Sequence, residues 1–409
     1  MQDYRDDDPP ARWLELGLLA IGILFGMTTW FSATAVLPQL KSAWSITPGA
    51  ASFVTISVQI GFVVGAIVSA VGNLADLVKA RRLFFIGCVG AAIANAALVV
   101  VHVEYVAFAL RFVTGMCLAA VYPPALKAMS TWFRKGRGVG LGIMIGGLTL
   151  GSATPHLIDG LGANVSWRLV IIATSILSVI GGCLVEFIAT DGPFQFPSAK
   201  FKPSMSWRVI NDKGVRLALL GYFGHMWELY AMWAWFGAFA AYVLSRHGLQ
   251  NVGEKAALLT FCAIGVGAFG CWLGGVLGDR WGRTKLTSLA MALSGASCIA
   301  IGIVQGYSIY VTIGVGLFWG FWVIADSAQF SSIVTEIADQ SYVGTALTLQ
   351  LAVGFSLTVA TIWLIPVLRD ILGWAWAFAF LAPGPIMGVA AMLALQRRPE
   401  ARKIAGGLG

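Results

Sequence analysis

Charge is scarce in this chain. Only 11% of its 409 residues are Asp, Glu, Lys or Arg, while 58% are hydrophobic. Soluble chains carry about 25% charged residues, so an ordinary water-soluble domain is excluded and lipid is the natural solvent. Cysteine is also sparse. Cys88, Cys117, Cys183, Cys262, Cys271 and Cys298 all lie in apolar runs and form no C-x-x-C pair. They read as small hydrophobes, which excludes a disulfide framework and a zinc site. Histidine is equally thin: His102 and His156 have no metal-ligand partners at useful spacing, and no catalytic triad is present. No metal, no cofactor and no enzymatic activity are expected. The first residues, MQDYRDDDPPARW, lack the basic start of a signal peptide. A small-residue triplet at Ala33–Ala35 follows an apolar run too long for a signal sequence, so this segment reads as an uncleaved first helix. Gly265-Val-Gly-Ala-Phe-Gly270 fits G-x-G-x-x-G but lies inside an apolar helix with no strand before it, which excludes dinucleotide binding.

Long apolar runs are what the chain has in abundance. A helix needs about 20 apolar residues to cross the hydrocarbon core. Runs of that length occur at roughly 14–37, 49–72, 83–101, 104–130, 138–158, 168–189, 216–244, 256–278, 286–304, 308–332, 343–367 and 373–396, twelve in all. The 49 glycines suit close helix packing in a membrane. With the N-terminus inside, 21 of the 27 lysines and arginines fall on the cytoplasmic side, and every cytoplasmic loop obeys the bias. Twelve spans with both termini cytoplasmic is the expected topology. The net charge of +8 is then a matter of orientation in the bilayer, and no nucleic-acid partner is needed to explain it.

The longest polar stretch, 190–215, carries three prolines and divides the chain. The expected organisation is an N-terminal tail (1–13), a six-helix bundle (14–189), a cytoplasmic central loop (190–215), a second six-helix bundle (216–396) and a C-terminal tail (397–409). The halves repeat. Gly72-Asn-Leu-Ala-Asp76 follows span two, and Gly275-Val-Leu-Gly-Asp279 follows span eight, 203 residues on; the same offset sets Arg82 opposite Lys285. Glycine lets such a loop approach a neighbouring helix, and a carboxylate can neutralise a helix N-terminus or the adjacent basic cluster.

These residues resemble the signature loop of the major facilitator superfamily, G-x-L-a-D-r-x-G-r-[KR]-[RK], in its bacterial type. The second copy, GGVLGDRWGRTK, matches well; the first, GNLADLVKARR, has Leu77 for the usual arginine and Lys79 for the usual glycine. The resemblance assigns Gly72, Asp76, Arg82, Gly275, Asp279, Arg280, Gly282 and Arg283 to conformational-switch loops. Arg111-Phe-Val-Thr-Gly115 resembles the R-x-x-x-G motif of span four, whose arginine is linked to proton coupling. Span five has Gly142, Gly151 and Pro155 of the antiporter motif but lacks its other glycines. The resemblance implies two six-helix bundles in a functional monomer. The substrate site would lie near the midplane and open alternately to each side.

Ionisable residues inside membrane spans are costly and usually functional. The segment YFGHMWELYAMWAWF, 222–236, carries Glu228 near mid-depth of span seven and His225 three residues earlier on the same face. Asp326 sits inside span ten and Arg111 inside span four. Glu228 and Asp326 are candidates to load and release a proton, since burial disfavours a carboxyl's charged form. His225 is placed to tune Glu228 or relay its proton. The alternatives are a permanent structural pair for Glu228, serine or glutamine partners for Asp326, and a fixed packing charge for Arg111. Thr28, Thr29, Ser32, Gln59, Trp227, Trp319 and Gln350 are candidate pocket residues, with interhelical hydrogen bonding or packing as the plainer explanation of each.

The expected function is secondary active transport of a small organic solute across the cytoplasmic (inner) membrane by alternating access, coupled to protons, with uptake by symport favoured. A proton-driven multidrug or metabolite exporter is the alternative, and a receptor on a transporter scaffold is a more distant one.

Overall fold

The computed structural model describes residues 9–44, 46–134, 136–162, 165–194 and 201–409, and the backbone alone at 48, 49, 75 and 76. Residues 1–8 of the expected N-terminal tail, residues 195–200 of the central loop and the side chain of Asp76 lie outside that description. Among the described residues every regular element is a helix. This is what lipid requires, because a helix satisfies its own backbone polar groups.

Among the described residues, ten helical stretches are long and apolar enough to cross a membrane. They are α2 (Phe53–Val71), α3 (Ala80–Val100), α4 (Glu104–Ser130), α5 (Arg137–Gly160), α6 (Trp167–Phe187), α8 (Val252–Trp281), α9 (Arg283–Val304), α10 (Ile309–Ile337), α11 (Val343–Leu372) and α12 (Trp374–Gln396). Two more helices, α1 (Arg12–Met27) and α7 (Lys213–Arg246), stand where the first and seventh spans are expected. The continuous first span expected over 14–37 is in fact broken. α1 stops at Met27, and the chain restarts as short helices Ser32–Ala35 and Leu37–Trp44. The cause is local: the Thr28 hydroxyl donates to the Phe25 carbonyl and the Ser32 hydroxyl to the Thr29 carbonyl, competing with the helical ladder. α7 runs longer than expected, and its Trp, Tyr, His225 and Glu228 dilute its apolarity.

α10 is interrupted too, at Asp326, between helices Ile309–Ala325 and Ser327–Ile337. The expected C-terminal tail is not a loose end. Residues Pro399–Gly407 fold back with Ile404 fully buried, the Ala405 amide donates to Glu336 Oε2 at 3.0 Å, and the Thr284 amide donates to the Gly409 carbonyl at 3.2 Å.

The helices pack as two groups. In the first, α1 lies on α5 and α6, α2 on α4, and α3 on α4 and α6; in the second, α7 lies on α11 and α12, and α10 on α8 and α9. The largest contacts joining the groups are α5 on α8 and α2 on α11, and α5 also meets the second part of α10. The α5–α8 contact depends on absent side chains: a Cβ at Gly142 would run into the Cys271 carbonyl, and one at Gly275 into the Gly138 carbonyl. Glycine at both places lets the two backbones touch.

Candidate functional site

The groups meet around a cavity of about 20 Å³, lined by Tyr122 and Ile145 from the first and by Tyr222, Tyr230, Ser327 and Phe355 from the second. That is room for roughly one water molecule, so this conformation is closed at its centre. α7 supplies the cavity with Tyr222, Met226, Leu229 and Tyr230, a stripe at helical spacing. His225 and Glu228 occupy the adjoining stripe, which faces the interior of the second bundle.

Glu228 is fully buried there, between α9 and α10. Its Oε1 accepts from Trp319 Nε1 at 2.6 Å and from Cys298 Sγ at 2.9 Å, and its Oε2 accepts from Ser294 Oγ at 2.9 Å. Trp319 thus serves the carboxylate and does not line the cavity. Cys298, read above as a small hydrophobe, is a hydrogen-bond donor to it. His225 does not partner Glu228 as expected. Its Nδ1 lies 2.9 Å from Asp326 Oδ1, at the break in α10. Among the described residues neither oxygen of Asp326 nor His225 Nε2 has a hydrogen-bond partner, so the approach to His225 is a close contact, and Asp326 takes no serine or glutamine. Among the described residues no lysine or arginine pairs with either carboxylate. Glu228, Asp326 and His225 are thus each buried, and among the described residues neither carboxyl group has a permanent cation.

Arg111 is the buried cation of the other bundle, and it touches no carboxylate. Its guanidinium donates to the carbonyls of Thr29 (2.9 Å), Trp30 and Val54 (3.3 Å), and to Ser32 Oγ and Asn95 Oδ1 at 3.3 Å each. It caps the carbonyls freed where the first span breaks, a positive group at a helix C-terminus. Asn95 completes this polar core. It accepts from Ser32 Oγ at 2.6 Å and donates to the Ile171 carbonyl, Thr174 and Ser175. A lone amide in an apolar span was the available sequence signal for Asn95; Tyr122, Ser294 and Cys298 offered none.

The remaining pocket candidates separate. Thr28, Thr29 and Ser32 donate to backbone carbonyls within the first bundle. Trp227 packs on Phe380 of α12, away from the cavity, with its Nε1 3.5 Å from that residue's carbonyl. Gln350 donates to Ser331 Oγ at 3.1 Å, its oxygen unpartnered. Gln59 is fully buried with both amide atoms unpartnered.

The two loop copies differ. In the second, Arg283 forms the hub: it lies 3.1 Å from Asp279 Oδ1 and 3.0 Å from Glu336 Oε1, and donates to Gln329 Oε1 at 2.6 Å. Asp279 also faces Gly138, in the first turn of α5, so its carboxylate meets both a basic partner and a helix N-terminus across the junction of the bundles. Gly282 holds φ +112, a conformation that favours glycine; Arg280 is exposed. In the first copy Gly72 ends α2, and Arg82 donates to Glu186 Oε1 at 2.6 Å within its own bundle.

Two helical bundles joined by glycine contacts around a central cavity define a multi-pass membrane transporter fold. The family model for the Major Facilitator Superfamily matches residues 19–361, and the chain belongs to that superfamily. Over 96% of its length it superposes, with a TM-score of 0.68 and 14% identity, on 98% of a bacterial homologue of the human lysosomal transporter Spinster in an inward-facing, occupied conformation. It is 28% identical to a galacturonate transporter of Dickeya chrysanthemi over 41% of this chain and 49% of that one. To a gallate transporter of Pseudomonas putida it is 22% identical over 77% of each. Against the first of these curated relatives, the chain spans about half the relative's length.

Proposed function

We propose that the protein is a proton-coupled secondary transporter that takes up a small organic solute, working as a monomer in the cytoplasmic membrane with twelve spans and both termini inside. The expected division at 190–215 is part of this proposal, as are the switch roles of the two loops. One observation carries the coupling: Glu228 and Asp326 are both buried, Asp326 beside His225, with no lysine or arginine partner among the described residues. A buried carboxylate is costly without a compensating charge, and a proton is one that could come and go. The cluster sits one helix face from the cavity, where movement of α7 would expose it to solvent. The names of the galacturonate and gallate transporters support a ring-bearing organic acid as cargo. An exporter of lipophilic cations is less favoured, since the carboxylates do not line the cavity.

The test is a solute comparison of cells expressing wild type with cells expressing Glu228→Gln, with and without an imposed pH gradient, using a panel that includes uronates and hydroxybenzoates. Wild type is expected to accumulate one solute only with the gradient, and the glutamine variant to exchange it without accumulating it. Accumulation by Glu228→Gln against a gradient would remove Glu228 from the coupling site.

A further inference from the structure

Beside the cavity, the two bundles meet through a cluster of aromatic rings. The break in the first span presents Trp30 and Phe31. Trp30 stacks within 5.0 Å of Phe62 and 5.7 Å of Tyr230 and of Phe355, centroid to centroid. Phe31 approaches Trp233 at 5.9 Å, and Phe62 approaches Phe355 at 4.4 Å. Tyr230 and Phe355 belong to both the cluster and the cavity wall, so the two are continuous.

Within this packed region several hydrogen-bonding groups are left over. Trp30 Nε1, Trp233 Nε1 and both amide atoms of Gln59 are buried and unpartnered; Gln59 lies one turn before Phe62 on the same face of α2. Buried polar groups nearly always find partners, and an unmade bond costs free energy. Three of the four atoms are N–H donors. Directly behind Trp30 stands Arg111, whose guanidinium donates to the Trp30 carbonyl and has no carboxylate partner. The region therefore combines flat aromatic walls, surplus donors and a positive charge with no carboxylate partner among the described residues, while Glu228 and Asp326 do not line the cavity.

From this geometry we infer that the aromatic junction is a collapsed substrate site, selective for a small flat ring compound carrying a carboxylate, with Trp30, Trp233 and Gln59 donating to its oxygens when the bundles part. This deepens the proposed function and rests on the transporter reading, but not on proton coupling. Arg111 acts here as a positioning residue, holding the Trp30 backbone and biasing the site toward anions.

The test is equilibrium binding to the purified full chain in nanodiscs, at one pH and with no gradient, so that its outcome is independent of the transport assay. The probes are benzoate, 4-hydroxybenzoate, galacturonate, benzamide and benzylammonium. At least one carboxylate is expected to bind about tenfold or more tightly than benzamide and benzylammonium. Trp30→Phe, which keeps a ring and removes the N–H, and Gln59→Leu are each expected to weaken that carboxylate about tenfold. Trp272→Phe, at an exposed position, should leave it unchanged. Thermal unfolding of each variant confirms that it is folded, and the wild-type probe series stands without the variants. The inference is overturned if benzylammonium binds as tightly as the carboxylates, if no carboxylate binds the folded protein, or if folded Trp30→Phe and Gln59→Leu bind with wild-type affinity.

Discussion

Arg111 and Glu228 are both single charges in apolar helices, yet their surroundings give them opposite characters. Glu228 is held by three donors from neutral side chains and makes no ion pair among the described residues. Arg111 is fixed by backbone carbonyls from two segments. The fork of a guanidinium reaches several acceptors at once, which an ammonium does not match. Arg111→Gln is therefore expected to destabilise the protein by about 3 kcal/mol, because buried carbonyls of Thr29, Trp30 and Val54 lose their donors. Arg111→Lys should recover only part of that loss. Thermal unfolding in detergent measures both, and a glutamine variant as stable as wild type would show that the cap is dispensable.

Among the helices, the start of α7 shows how an element is fixed by its first residue. Asp212 accepts from the Val215 amide at 3.1 Å as an N-cap and takes a second bond, 2.6 Å, from the Tyr342 hydroxyl at the head of α11. The same carboxylate thereby ends the central loop and joins two helices of the second bundle. Asp212→Ala is expected to cost about 1 kcal/mol of stability, and Asp212→Asn much less, since asparagine caps comparably; equilibrium unfolding of the two variants decides it. The breaks in the first span and in α10 belong to this scale as well. Each is a departure from the straight helix that an apolar run suggests, and each delivers a buried polar group to its place: the carbonyls of Thr29 and Trp30 to Arg111, and Asp326 to His225.

For the whole molecule, α5 and α8 approach closely along a seam of glycines. Gly142 meets Cys271 and Gly138 meets Asp279 at that seam, and both glycines lie on one bundle while their neighbours lie on the other. Gly142→Val is expected to wedge the bundles apart at this end while leaving each bundle folded. Spin labels at Leu77 and Trp281, both exposed and on opposite bundles, would report a longer distance in the variant; an unchanged distance distribution would mean that the seam does not control closure. The asymmetry of the two loops fits the same picture. Only the second copy is seen to reach across the junction, through Asp279, and it carries the fuller motif; Asp76, its counterpart, has no described side chain.

Composition and periodicity decided the solvent and the helical class, because a membrane span announces itself by length and apolarity alone; the family was legible only through the resemblance of the loop motif. The half-repeat was legible for the same reason: a loop motif is contiguous in the chain. The sequence also singled out Glu228, His225, Asp326 and Arg111, since a charge in an apolar helix is conspicuous whatever its partners. Partners were another matter. That His225 turns to Asp326 and not to Glu228, that Cys298 and Trp319 serve a carboxylate, and that Arg111 caps a broken helix depend on residues tens of positions away. Contacts of that kind are set by which helix faces meet, and periodicity along one helix does not specify its neighbour. The aromatic junction was hidden for a related reason: Trp30, Phe62, Tyr230 and Phe355 look like ordinary lipid-facing residues until two bundles close over them.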